Sequence, residues 1–171
     1  DYPDVLLDGR VGPQTLGALD GFTEAERVAP SDMPELERWV LHRLAELDGR
    51  VRAGYDAYDF QGVFRALFDF ATVDLSAFWF DIRKDALYCD PISSPTRRAA
   101  LQVIDETFKR VVVWLAPVLA FTAEEAWLDR YPSEDGSVHL QTLPETPASW
   151  RRALERALFV LFVIGAFVSW T

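Results

Sequence analysis

Apolar positions recur at helical spacing along most of this chain, and the clearest run is residues 58–90, YDFQGVFRALFDFATVDLSAFWFDIRKDALYCD. Phe60, Val63, Phe64, Leu67, Phe68 and Ala71 step by three and four, and Leu75, Phe78, Trp79 and Ile82 start the stripe again. That spacing puts one wide apolar face on a long helix, which must be covered by other helices. The helix is expected over about 59–87, with Asp59 as its cap. A bend is expected near 73–76, where Val, Asp and Ser lower helix propensity.

Three more helices follow from the same pattern. One spans about 34–53, with Leu36, Val40, Leu44, Leu47 and Val51 as its stripe. Ser31 or Asp32 caps it, Glu35 and Glu37 suit its positive end, and Gly54 terminates it. Another starts at Ser94–Pro95, with proline at the first helical position. It buries Leu101, Ile104, Phe108, Val111 and Leu115 and ends or kinks at Pro117. A short helix opens with a capping box, Thr122 to Glu125, and turns Ala126 and Trp127 inward. Residues 137–142 (SVHLQT) alternate after Asp135–Gly136 and predict a short strand or extended arm. The fold class is therefore all-α, a helical bundle with at most one short strand or extended arm near 137–142. Residues 1–33 read as an irregular segment in which 16–22 ends a short helix before Gly21. Residues 34–130 form the bundle, and 131–150 an arm and linker. Residues 151–171 form an apolar helix or tail.

The tail raises the question of a membrane. Residues 157–171 carry no charge, but a bilayer span takes about 20 apolar residues. A buried helix fits better, with an exposed apolar end as the alternative. Residues 1–10 do not resemble a secretory signal, and the lone Cys89 suits a reducing compartment. A cytoplasmic location without a membrane is expected.

Charge argues first against nucleic acid, since the net value is −10. Yet eleven of the seventeen Lys and Arg fall in residues 34–110, so a local basic patch is compatible with an acidic chain. Strong non-sequence-specific DNA binding, which needs many neutralised phosphates, is not expected. Catalytic signatures are missing: there is no phosphate loop, no GxGxxG turn and no GxSxG elbow. His42, His139 and Cys89 supply few ligands for zinc. Asp69, Asp74, Asp81 and Asp85 read as a solvated flank with one or two buried, hydrogen-bonded carboxylates. The basic residues point further. Arg43 and Arg50 share a face of the first helix with Trp39 nearby, Arg65 lies off the stripe of the second, and Arg83–Lys84 and Arg97–Arg98 follow. Arginines beside aromatics suit RNA, because guanidinium forks onto phosphate and stacks on bases. The competing reading is an ordinary charged surface with pairs such as Glu46–Arg50. Trp79, Phe78 and Trp114 are expected in the core.

Five stretches carry a resemblance: residues 34–44 (PELERWVLHRL), 53–67 (AGYDAYDFQGVFRAL), 73–90 (VDLSAFWFDIRKDALYCD), 94–107 (SPTRRAALQVIDET) and 115–127 (LAPVLAFTAEEAW), followed by SVHL at 137–140. In order and spacing they resemble the anticodon-binding helical domain of class I aminoacyl-tRNA synthetases, and 73–90 is closest to the isoleucyl form. The match covers about 16–150. Residues 1–15 and the stretch after Trp150 depart from the family pattern. The resemblance implies a helical bundle that docks the anticodon stem-loop of tRNA-Ile beside the remainder of the synthetase. It implies no cofactor in this segment. ATP and magnesium belong to a catalytic domain with HIGH-type and KMSKS-type motifs, neither of which occurs in these residues, so the segment alone is expected to be non-catalytic. Arg43, Arg50, Phe60 and Arg65 are the implied anticodon-loop contacts, and Arg83, Lys84, Arg97 and Arg98 the implied phosphate contacts. A sister synthetase such as the valyl enzyme, and an acidic helical module that binds protein, are the other readings.

Overall fold

The computed structural model describes residues 27–151; the expected short helix at 16–22, most of the irregular segment and the apolar tail lie outside them. Within the described residues every regular element is helical. The described residues divide into two units, one holding Ala29–Asp81 and residues 144–151, the other residues 27–28 and Ile82–Leu143.

The first unit is built on a helical hairpin. Helix α1 spans Glu35–Asp56 and buries Val40, Leu41, Leu44, Leu47 and Val51. Its N-cap is Pro34, with no side-chain cap, so neither Ser31 nor Asp32 plays the expected part. Glu37, expected to serve only the helix dipole, is fully buried. Gly54 does not end the helix. A Cβ there would lie 2.5 Å from Val63 Cγ2, so glycine lets the second helix approach closely. That helix, α2, spans Phe60–Asp69, and Asp59 caps it as expected by accepting from the Gly62 amide at 2.9 Å.

Beyond Asp69 the predicted bend takes another form, a π-helical stretch over Phe70–Phe80. Its wider turn explains why the apolar stripe does not stay on one face. The buried residues run Val63, Leu67, Phe70, Leu75 and Trp79, with a step of five between Phe70 and Leu75. Phe60, Phe64, Phe68, Phe78 and Ile82, expected inside, are instead exposed, as is Ala71. The stretch read as a linker closes this unit. It ends in a helical turn at Ala148–Arg151 (α6) that packs on α1 and buries Trp150. His42 Nδ1 lies 3.3 Å from the Trp150 carbonyl, and Arg52 donates to the Pro144 carbonyl at 2.7 Å.

The second unit holds α3 (Asp81–Cys89, from Ile82 on), α4 (Pro95–Leu115) and α5 (Ala120–Arg130). Helix α4 begins as predicted, with Ser94 capping and Pro95 in the first turn. It stops at Leu115, two residues before Pro117. Between Ala99 and Asp105 every residue is buried, so α4 is the unit's central helix rather than one with a single covered face. Val112, Val113, Ala116, Ala123 and Val138 form a cluster, with Phe108, Ala126 and Trp127 against it. The Thr122–Glu125 capping box does not form: α5 starts at Ala120 with Leu119 at the N-cap, which places Thr122 inside the helix. Glu124 acts instead, accepting from the Ser137 hydroxyl at 2.9 Å and the Val138 amide at 2.8 Å. Those bonds wind Val138–Leu140 into a 3-10 turn where a short strand was one expectation; Ser137 and Gln141 on either side are extended.

Candidate nucleic-acid interface

The α1–α2 hairpin brings three of the predicted residues to one surface. A concavity of about 500 Å³ is lined by Arg43, Glu46, Arg50, Asp69 and Asp74 among others. A second of about 480 Å³ is lined by Arg50, Arg65, Ala57 and Asp59. They share Arg50, Ala66 and Asp69 and form one groove along the hairpin.

The three arginines differ in what they can still do. Arg43 donates through Nε (3.1 Å) and Nη2 (2.9 Å) to one oxygen of Asp74, and through Nη1 to Glu46. Burial works to lower its pKa, but these hydrogen bonds and the two carboxylate charges outweigh it and raise the value. Arg43 thus ties α1 to the π-helical stretch. Glu46 faces Arg43 and His42 (3.5 Å), not Arg50 as the helix spacing had suggested. Arg50 and Arg65 are exposed, and among the described residues neither has an ion pair or hydrogen bond through its guanidinium. The groove is mixed in sign, since Asp59, Asp69 and Asp74 also line it.

Phe60, at the start of α2, is 46% exposed and meets Tyr55 and Tyr58 edge-on at 5.9 and 6.4 Å. Phe64 and Phe68, one and two turns on, stack on each other at 6.2 Å and stay 39% and 57% exposed. Tyr58 is a surface aromatic that sequence reasoning passed over. Its only signal was its place between one helix and the cap of the next.

The remaining candidates belong to the other unit. Arg97 Nη1 donates to the Asp90 carbonyl at 2.6 Å, while the Ser94 hydroxyl donates to the Asp90 carboxylate at 2.8 Å. Arg83, Lys84 and Arg98 also have intramolecular partners. Trp79 and Trp114 are fully buried, as expected of core residues, whereas Phe78 is 45% exposed and sits edge-on to Trp39 at 5.2 Å. Asp69, Asp81 and Asp85 are exposed, whereas Asp74 is partly covered and paired with Arg43. Among the described residues no three His, Cys, Asp or Glu side chains gather in a way that could hold a metal ion. No helix there is long and apolar enough to cross a membrane.

This geometry finds its context in known proteins. Residues 37–165 match the family described as the anticodon-binding domain of tRNA ligase. The chain is 55% identical over 167 residues to an isoleucine–tRNA ligase of Ruegeria pomeroyi, covering 86% of this chain and 17% of that protein. It is 61% identical over 136 residues to that of Brucella abortus (80% and 14%) and 62% over 141 residues to that of Agrobacterium fabrum (82% and 14%). The chain therefore spans only about a sixth of the length of the curated relatives it matches. With three quarters of its residues inside the family match, the chain belongs to the anticodon-binding domain family of tRNA ligases.

Proposed function

We propose that this chain docks the anticodon stem-loop of tRNA-Ile as the RNA-recognition part of an isoleucine–tRNA ligase. In this reading the ATP- and magnesium-dependent joining of isoleucine to its transfer RNA takes place in another domain of the cytoplasmic parent enzyme. Residues 34–130 serve as the binding bundle, and 131–150 as its arm and connection to the remainder of the synthetase. The observation that carries the reading is the pair Arg50 and Arg65, exposed on two helices of one groove with no carboxylate committed to either among the described residues. An uncommitted guanidinium forks onto phosphate or stacks on a base. Phe60 adds an aromatic surface for unpaired bases, and Arg43 keeps the groove in shape through Asp74. Arg83, Lys84, Arg97 and Arg98 are the phosphate-contacting set. Family membership and the relatives' printed names support the choice of ligand.

The test is binding of the chain to tRNA-Ile at low salt, beside a copy with a changed anticodon. Preference for the native anticodon is expected. Replacing Arg50 or Arg65 by alanine should lower the salt slope by about one where the residue meets phosphate, or change the preference where it reads a base. Equal binding to both RNAs would confine the chain to docking without reading. A folded chain that binds neither RNA would overturn the proposal and leave the acidic protein-binding module.

A further inference from the structure

The turn between α1 and α2 carries a residue that the function above leaves unused. Tyr58 is the one non-glycine residue with positive φ (57°) among those described, and it is 80% exposed. The left-handed region is disfavoured for side chains with a Cβ. Here it is imposed by the surroundings. The Tyr58 amide donates to the Tyr55 carbonyl at 3.1 Å, the Asp59 amide donates to the Gly54 carbonyl at 2.8 Å, and the Asp59 carboxylate is fixed as the cap of α2. Backbone strain held in this way gathers at functional sites.

The side chain has little structural duty. Its hydroxyl has no hydrogen-bond partner among the described residues. Its contact with Phe60 is edge-on, with an angle of 68° between the rings, so it keeps a broad aromatic face in solvent. Ala57 and Asp59, the residues on either side, line the same concavity as Arg50 and Arg65. A ring held by its backbone thus stands beside a concavity whose Arg50 and Arg65 have no partner among the described residues.

We infer that Tyr58 is a base-stacking residue: its ring takes the face of one unpaired RNA base while Arg50 and Arg65 hold adjoining phosphates. Stacking on an aromatic is tolerant of sequence and suits single-stranded loops. The inference rests on the RNA-docking reading above and extends it to a residue outside the arginine set.

The test uses the chain with an isoleucine anticodon stem-loop carrying 2-aminopurine at each loop position in turn, whose fluorescence falls when the base stacks. Wild type should quench one position. Tyr58→Gly should abolish that quenching and weaken binding about 5- to 150-fold, the range of a single stacked base. Its melting temperature should not fall, because glycine takes this φ without strain. Tyr58→Phe should keep both quenching and affinity. If wild type binds in an Arg50- and Arg65-dependent way but Tyr58→Gly neither weakens binding nor changes the fluorescence, stacking is wrong and docking stands. If affinity falls only together with the melting temperature, Tyr58 has a structural role and the inference fails. A wild-type chain that binds no stem-loop overturns the docking reading itself.

Discussion

The two units of this chain differ in how far their arginines are committed: the hairpin unit pairs Arg43 and Arg52 but leaves Arg50 and Arg65 open among the described residues. Around α4 the cations turn inward. Arg27 reaches Asp105 at 3.0 Å and Glu106 at 2.6 Å, Lys109 reaches Asp105 at 2.8 Å, and Arg110 bonds Glu106. Arg130 approaches Asp105 at 3.7 Å, and the Tyr131 hydroxyl donates to Asp105 at 3.4 Å. In the hairpin unit aliphatic side chains of α1 and α2 hold the helices together, and two arginines stay open on the surface. The contrast teaches that net charge is a poor guide to where an anion binds. A chain at −10 can offer guanidinium groups where tertiary placement leaves them unpaired, even with Asp59 and Asp69 lining the same concavity.

The largest effect should come from breaking the charge-held unit. Asp105 is 5% exposed and accepts from several cations at once. Asp105→Ala removes the buried anion these groups share, and the loss should be about 3 kcal/mol of stability, read by urea unfolding. Arg50→Ala, which removes an uncommitted surface group, should change stability by less than about 0.5 kcal/mol. Similar losses for the two variants would erase the distinction between the units.

The shape-held unit has its own weak point. Gly54→Ala pushes a methyl group against Val63 Cγ2 and should cost about 1–3 kcal/mol, as overpacking does. Val63→Ala in the same chain should recover part of it. Gly49, on the exposed side of the same helix, has nothing within 4 Å of its added Cβ. Gly49→Ala should therefore stabilise by up to about 1 kcal/mol through helix propensity alone. If both glycine variants moved thermal stability in the same direction, close approach at Gly54 would not be what joins the helices.

These positions also show how far the residues alone could be read. Local chemistry was legible: the Asp59 cap, the Ser94–Pro95 start and the stop before Pro117 each depend on neighbours within one turn. The capping box failed because Thr-x-x-Glu does not by itself fix the register, and the cap of α5 falls three residues earlier, at Leu119. The split of the long apolar stripe was not legible, since a π-helical stretch shifts the phase by one residue per turn and no spacing rule announces it. The arginines show the same limit. Arg43 and Arg50, seven residues apart, look equivalent on a helix, yet only Arg43 meets Asp74, which arrives from a segment 31 residues away. Which of two like residues is free to bind a ligand is settled by tertiary placement.

That difference can be sharpened by a double-mutant cycle. Arg43→Ala and Asp74→Ala should couple by about 1 kcal/mol, reduced from a buried pair because Arg43 is 35% exposed. The same cycle on Arg50 and Asp69, which share the groove without a bond, should show no coupling beyond error. A coupling at Arg50 equal to that at Arg43 would mean that Arg50 is committed in solution and unfit for the role proposed.

The smallest effect is one of pH and belongs to the inward-turned unit. Burial, then the Asp105 charge, raises the Tyr131 pKa from the ordinary 10.0 to about 12, with Arg130 opposing. The folded chain keeps this proton over a range where the unfolded chain has lost it. The contribution is therefore whole below pH 10 and disappears as pH rises towards 12. Tyr131 is only partly buried, so the slope should be shallow. Tyr131→Phe has no proton to lose, and its unfolding free energy should fall less steeply than that of wild type between pH 10 and 12. Parallel curves would show that the phenol does not feel Asp105. The hub would then be an arrangement of cations alone, and the contrast with the open arginines of the hairpin would rest on Arg27, Lys109, Arg110 and Arg130.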